Sequence, residues 1–347
     1  MKFHFTPLLR RGAGGEVIQA IFALILLLIS VFTPLRAQQM TAFSGWRGQE
    51  FRYNPAMTAT DRLGRVHAMY QQEWSGFEDS PQTIQLGGQL AVNNQPFSIG
   101  AFLEIDELLP LRQNTLGLTY AYHIGGYSYG RRRGRRNYRK RTRAQLSIGI
   151  GANFQQIFLD PSQLVTSDAG DQALPNGEAR LNVPNFDAGI QFSTAPGGPN
   201  GQSYGFIGAG FRQIMSQRLP LKPDAEVSGL LNRKPHGNVV AGYQFSSDEL
   251  LLRTQLWLAI ADNAPGESQL SVDALLKRKI NAAFSYRLSQ TLAIRLGYVL
   301  PQGSSDNKNI RVGVQGVFNL GSGTAVRGLG YTFFMAYEFG DNAEVSN

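Results

Sequence analysis

The feature that most restricts this chain is an alternation of apolar and polar residues with period two. It returns segment after segment from residue 63 to residue 340. Successive side chains of a strand point to opposite faces, so this period marks strands with one apolar and one polar face; helices repeat every 3.6 residues instead. Residues 146–154 show it most cleanly, with Leu146, Ile148, Ile150, Ala152 and Phe154 on one side and Ser147, Gly149, Gly151 and Asn153 on the other. Segment 97–105 sets Phe97, Ile99, Ala101, Leu103 and Ile105 against Ser98, Gly100 and Glu104. Fourteen such segments are expected, near 63–73, 82–93, 96–106, 112–124, 144–157, 184–194, 203–213, 236–246, 249–260, 268–276, 279–287, 291–300, 308–319 and 329–340. No long helical pattern interrupts them, and 39 glycines and 13 tyrosines suit strands and turns.

Two architectures use such a series. A soluble sandwich buries the apolar faces against each other; an outer-membrane barrel turns them to lipid and keeps a polar lumen. Three observations favour the barrel. The less apolar face is rich in Gly, Ser, Asn, Gln and isolated charges. Aromatics recur near strand ends, where interfacial girdles would lie: Tyr120, Tyr122, Tyr204, Tyr243, Tyr286, Tyr298, Tyr331 and Tyr337. The last segment carries Tyr331, Phe333, Met335, Tyr337 and Phe339 on one face, an alternating aromatic ending of the kind outer-membrane assembly machinery reads. The fold expected is therefore an all-β, transmembrane antiparallel barrel of about 14 strands, placed in the outer membrane.

The N-terminus agrees with export. Lys2, Arg10 and Arg11 precede the wholly apolar run Ala20 to Ile29, and Thr33-Pro34-Leu35-Arg36-Ala37 follows. This reads as a signal peptide over 1–37, cut after Ala37, because ten apolar residues fall short of the roughly 20 that span a bilayer. The remaining divisions are an N-terminal periplasmic or lumenal segment at 38–62, the barrel at 63–340 and a tail at 341–347. An even strand count puts both chain ends on the periplasmic side. Residues 158–183 and 214–235 then become long outward loops without regular pattern, and 93–95 and 246–248 tight inward turns.

The chain's net charge of +8 is local. The leader holds four basic residues and one acid, and the run RRRGRRNYRKRTR at 131–143 holds nine basic residues and no acid, which leaves the rest at −4. Nucleic acid is not the expected partner of an exported barrel. By strand parity the run is an inward-facing turn whose Arg131, Arg132, Arg133, Arg135, Arg136, Arg139, Lys140, Arg141 and Arg143 meet an acidic periplasmic protein or membrane lipid headgroups, or stay solvated.

Enzyme readings find no support. With no cysteine there are no disulfides, thiolate metal sites or cysteine nucleophiles. His67, His123 and His236 lie far apart, without metal-ligand spacing, and His123 reads as a turn or interface residue. No G-x-S-x-G, P-loop or H-E-x-x-H occurs. Glu104, Asp106 and Glu107 read as an exposed acidic loop at the end of the third strand. The expectation is a non-enzymatic protein with no cofactor and no metal.

Residues 43–83 behave unlike the rest. Tyr53-Asn54-Pro55-Ala56 forms a turn ahead of the first strand, since Pro55 restrains Asn54 and lacks a donor. Gln72, Trp74, Gly76 and Phe77, then Pro81 and Thr83, close the first outward loop. An aromatic-rich segment ending in Asn-Pro-Ala, a strand ending in Gln-x-Trp-x-Gly-Phe, and Pro-x-Thr resemble the PorP/SprF family of type IX secretion outer-membrane proteins. The resemblance implies a fourteen-stranded barrel that binds the C-terminal sorting domains of secreted adhesins or other cargo. It also implies retention of that cargo at the cell surface and contact with other periplasmic or outer-membrane components of secretion or gliding. The other class left open is a pore or transporter for small solutes.

Glycines recur on the presumed lumen face, at Gly117, Gly149, Gly151, Gly189, Gly242, Gly297 and Gly313. Either they leave room for a lumenal segment, cargo or the chain's own 38–62 arm, with Gly149 and Gly151 as the contact, or they supply the curvature that closes the barrel.

Overall fold

A strand with one oily and one polar face is stable in a bilayer only where the sheet closes, because an open edge would leave backbone groups without partners in hydrocarbon. The computed structural model describes residues 48–340, apart from 77–78, 93–94, 131–137, 164–176, 199–201, 221–229, 262–265, 303–307 and 321–327. It shows a closed antiparallel barrel of fourteen strands.

The first half of the wall is β1 (Gly64–Gln72), β2 (Gln82–Ala91), β3 (Phe97–Leu108), β4 (Leu111–Gly130), β5 (Tyr138–Leu159), β6 (Ala179–Ser193) and β7 (Tyr204–Arg212). A separate hairpin follows, β8 (Gln217–Pro220) with β9 (Leu230–Arg233). The wall resumes with β10 (His236–Ser246), β11 (Leu250–Ala261), β12 (Glu267–Leu276) and β13 (Ile280–Arg287). It ends with β14 (Thr291–Pro301), β15 (Lys308–Asn319) and β16 (Leu329–Phe339). β16 closes on β1 in register from Gly64↔Phe339 to Gln72↔Tyr331. Each of the fourteen segments expected from alternation corresponds to one barrel strand.

Burial is inverted relative to a soluble fold. Ile150 and Leu296 are 61% and 60% exposed on the outer wall, whereas Gln85 and Gln244 on the inner wall are 0% exposed. The outer face is thus a continuous apolar belt, as lipid contact demands, and the polar face is the buried one. Several lumenal glycines stand directly opposite a large ring: Gly117 pairs with Phe102, Gly242 with Phe206 and Gly313 with Phe334. In each pair the ring lies over the glycine where a Cβ would otherwise sit, which covers the bare backbone and fills the wall.

The rim carrying Gly64 and Phe339 is called here the near rim, and the opposite one the far rim. Far-rim connections include the long 160–178 and 213–235; near-rim connections include 247–249 and 277–279.

Four local expectations are corrected. The basic run is not simply a turn: β4 and β5 continue beyond their neighbours to Gly130↔Tyr138, carrying Arg139, Lys140, Arg141 and Arg143 on a two-stranded ribbon past the near rim. A register shift at Gly125/Tyr127 marks its base, where Gly125 and Gly126 take left-handed φ of 78° and 82° that a side chain would resist. Residues 214–235 are not patternless, since they hold the β8–β9 hairpin, too short and irregular to show a period. Tyr204 is not in an outer girdle; at 6% exposure it faces the lumen, because its position in β7 shares the parity of buried Phe206. Glu104 is not in an exposed loop: β3 runs on to Leu108 and buries it inside the wall.

Candidate functional site

The lumen is filled by the chain's own N-terminal arm. Residues 49–59 are all buried inside the barrel, an environment that this polar stretch tolerates only because the wall supplies partners. A single helical turn, α1 (Glu50–Tyr53), leads into a 3-10 turn at Pro55–Met57. Asn54 joins them. Its Oδ1 accepts from Ala56 N at 3.0 Å, and its Nδ2 donates to the Ile190 carbonyl of β6 at 3.2 Å. Pro55 suits the first position of the turn, where an amide donor would have no partner.

The turn sits in a saddle of glycines on three adjacent strands. A Cβ at Gly149 would fall on the backbone of Pro55 and Ala56, and one at Gly189 on the Asn54 side chain. A Cβ at Gly210 would meet the Tyr53 carbonyl and Asn54 Cα, and Gly208 lies beside Asn54 Nδ2. β5, β6 and β7 therefore offer bare backbone where the arm approaches closest, which is the space glycine alone provides. Gly151 does not touch the arm; it lies against Asp187.

Side chains then lock the arm to the wall. Glu50 pairs with Arg253 at 2.7 Å, Arg52 pairs with Glu104, and Asp61 pairs with Arg65 at 3.0 Å. Arg65 continues to Glu338 at 2.8 Å, and Glu338 to Arg311 at 2.6 Å. Asn238 Nδ2 donates to the Tyr53 carbonyl at 2.8 Å, Thr58 Oγ1 to Thr119 Oγ1 at 2.9 Å, and Ala59 N to Gln89 Oε1 at 2.6 Å. Arg62 donates to the Val92 and Gln95 carbonyls of the β2–β3 turn at 2.9 and 2.6 Å. Tyr53 and Met57 complete an apolar cluster with Tyr204, Phe206, Val240 and Trp257. Burying each of these charges costs desolvation energy, which its oppositely charged partner offsets. Between Gly48, Glu50 and the walls of β11, β12 and β15 a cavity of about 230 Å³ opens toward the near rim.

The residues singled out from sequence fall in three places. Asn54, Pro55, Ala56 and Gly149 meet in the lumen. Gln72, Trp74, Gly76, Pro81 and Thr83 lie at the far end of β1 and β2, with Phe77 outside the described residues. There Gln72 Nε2 donates to Ser80 Oγ at 2.6 Å and Gln72 Oε1 accepts from Tyr331; Glu73 N donates to the Pro81 carbonyl at 2.9 Å, and Thr83 Oγ1 to Asp106 at 2.7 Å. Trp74 has φ 53°, and its backbone packs against Gly328. Of the basic run, Arg131, Arg132, Arg133, Arg135 and Arg136 lie outside the described residues; Arg139, Lys140 and Arg141 are placed in β5, and Arg143 is exposed. His123 is neither turn nor interface residue: it is buried, within 2.8 Å of Ser147 Oγ and 2.9 Å of Ser98 Oγ. Sequence reading missed the ion pairs of the arm. Their trace was the isolated inward charges Glu104, Arg253 and Glu338, whose partners lie far away in the chain.

Comparison with curated proteins gave no match. Among solved structures the barrel is similar to the toluene transporter TbuX of Ralstonia pickettii, at 10% identity and TM-score 0.48 over 84% of this chain and 93% of that one. It is also similar to the monoaromatic hydrocarbon channel CymD, at 10% identity and TM-score 0.48 over 87% and 94%. A third is the Pseudomonas putida toluene transporter TodX, at 8% identity and TM-score 0.47 over 89% and 96%. The model of the type IX secretion system membrane protein PorP/SprF matches residues 35–337, essentially the whole arm and barrel described above. The chain therefore belongs to the PorP/SprF family of type IX secretion system membrane proteins, and its barrel is that of an outer-membrane protein.

Proposed function

We propose that this protein is a plugged, non-conducting barrel that holds a secreted protein at the cell surface by binding its C-terminal sorting domain. The observation that carries this reading is the arm: residues 49–59 fill the lumen and are tied to the wall from β2 to β11 by ion pairs and hydrogen bonds. A solute pore needs a continuous wet path, whereas a retention platform needs only a rigid frame for its rims. On this reading the near rim faces the periplasm, after removal of residues 1–37 as a leader. The ribbon bearing Arg139 to Arg143 then meets an acidic component of the secretion machinery or lipid headgroups, and the far-rim loops meet cargo.

Two measurements test it. The affinity-tagged barrel should co-purify with a surface protein carrying a C-terminal sorting domain, and deleting the barrel should release that protein into the medium. In planar bilayers the purified barrel should give no steady conductance. An open channel, with surface proteins unchanged by the deletion, would refute the proposal and favour the solute pore.

A further inference from the structure

The far mouth of the lumen, where β7 ends and β10 begins, gathers two guanidinium groups and an imidazole that, among the described residues, form no ion pair with a carboxylate. Arg212 and His236 stand opposite each other in the β7–β10 register, and Arg233, the last residue of β9, precedes His236 by only three positions in the chain. Arg212 is only 6% exposed; its guanidinium lies 5.4 Å from the centre of the Tyr53 ring, and its Nε is buried without a hydrogen-bond partner. Nη1 of Arg233 and Nδ1 of His236 are buried without partners too. Elsewhere in the lumen Arg52, Arg65, Arg253 and Arg295 each meet a carboxylate. The Asp187 carboxylate beside this mouth accepts from Asn153 Nδ2 and Gln213 N, at 2.9 Å each, and neither bond involves Arg212.

A buried guanidinium nitrogen without a hydrogen-bond partner is unfavourable, and the forked donors of arginine match the two oxygens of a carboxylate. Two acceptors at the same mouth, Gln213 Oε1 and Asn238 Oδ1, are buried and lack donors. The complement of this set is a ligand with an oxyanion and adjacent N–H groups, which is what an acidic stretch of polypeptide offers. We infer that the far mouth, through Arg212, Arg233 and His236, binds a carboxylate of an acidic polypeptide segment. The site goes beyond cargo retention, and its test is a binding measurement in solution, decided separately from retention in cells.

The test uses the full barrel in detergent with the nine basic residues of 131–143 changed to Gln, which removes the other cationic surface. A fluorescent ten-residue polyglutamate peptide should bind it, and a polyglutamine peptide of equal length should not. Arg233→Gln, on a hairpin outside the barrel wall, should weaken polyglutamate binding at least tenfold while leaving the heat-resistant gel mobility of the folded barrel intact. His236→Gln supplies a second variant. Displacement of the peptide by millimolar inorganic phosphate supports the oxyanion contact. No peptide binding, peptide binding that neither Gln variant weakens, or binding of phosphate without peptide would each overturn the inference.

Discussion

Gly149→Leu should expel the arm from the lumen while leaving the barrel closed. A Cβ at this position would lie inside 3.0 Å of three backbone atoms, Ala56 N, the Pro55 carbonyl carbon and Ala56 Cα, a spacing that real Cβ atoms do not show. None of these atoms belongs to a flexible side chain, and the Pro55 ring restricts how the turn can yield. The turn must leave its saddle, and three hydrogen bonds go with it: Asn54 Nδ2 to Ile190, Asn238 Nδ2 to Tyr53, and Thr58 to Thr119. At about 1 kcal/mol each, their loss amounts to about 3 kcal/mol. Exposing Tyr53 or Met57 from the apolar cluster adds about 1.5–3 kcal/mol for each side chain. The docked state should therefore lose about 5 kcal/mol, more than a thousandfold in population. Arg52 and Arg62, at 1% and 7% exposure, are shielded from trypsin while the arm is docked. The variant should be cut after both, giving shortened barrels that begin at Tyr53 or Leu63, and single-channel recordings should show openings absent from the wild type. Gly151→Ala is the control: its Cβ would sit 3.2 Å from Asp187 Cβ, a contact that a small shift relieves. Uncut, silent Gly149→Leu would refute the account of the glycine saddle.

Four further outcomes follow from the same geometry. Asn54→Ala removes the cap of the 3-10 turn and the tie to Ile190, and should weaken arm docking by about 1–3 kcal/mol, read as faster tryptic cleavage at Arg52. Arg253→Met takes away the guanidinium facing Glu50 and should cost about 3–5 kcal/mol in the same assay, with Glu50→Gln in the double variant restoring much of it. Leu118→Arg places a charge on the lipid face of β4 and should lower urea stability in vesicles by about 2–4 kcal/mol if mid-membrane, whereas Leu118→Ile should change it little. Gly313→Leu drives a side chain into the Phe334 ring and should destabilise the wall by about 1–3 kcal/mol, seen as a lower unfolding midpoint with the arm still protected.

The residues from Asn54 to Thr83 were legible as a string, but not where its parts lie. Asn54-Pro55-Ala56 reads as a turn because proline and asparagine carry local conformational preferences, yet nothing local says that the turn lies inside the barrel. Gln72, Trp74 and Thr83 are at the far end of the first two strands, apart from it, so the string falls in two places rather than one. His123 and Glu104 looked like end-of-strand residues because sequence does not say where a strand stops. Pairing across the sheet carried β3 and β4 further than their alternation suggested.

What the sequence determined by itself is the wall: fourteen strands, an oily outer face and a polar inner one, because period-two patterning is local and every strand repeats it. What the tertiary structure decided is the content of the lumen. Arg52 finds Glu104, Glu50 finds Arg253, and the Asn54 turn finds glycines of three different strands, only once the sheet has closed around them. Such partners lie up to about 200 residues apart in the chain, and only closure of the barrel, driven by its need to leave no edge in hydrocarbon, brings them within reach.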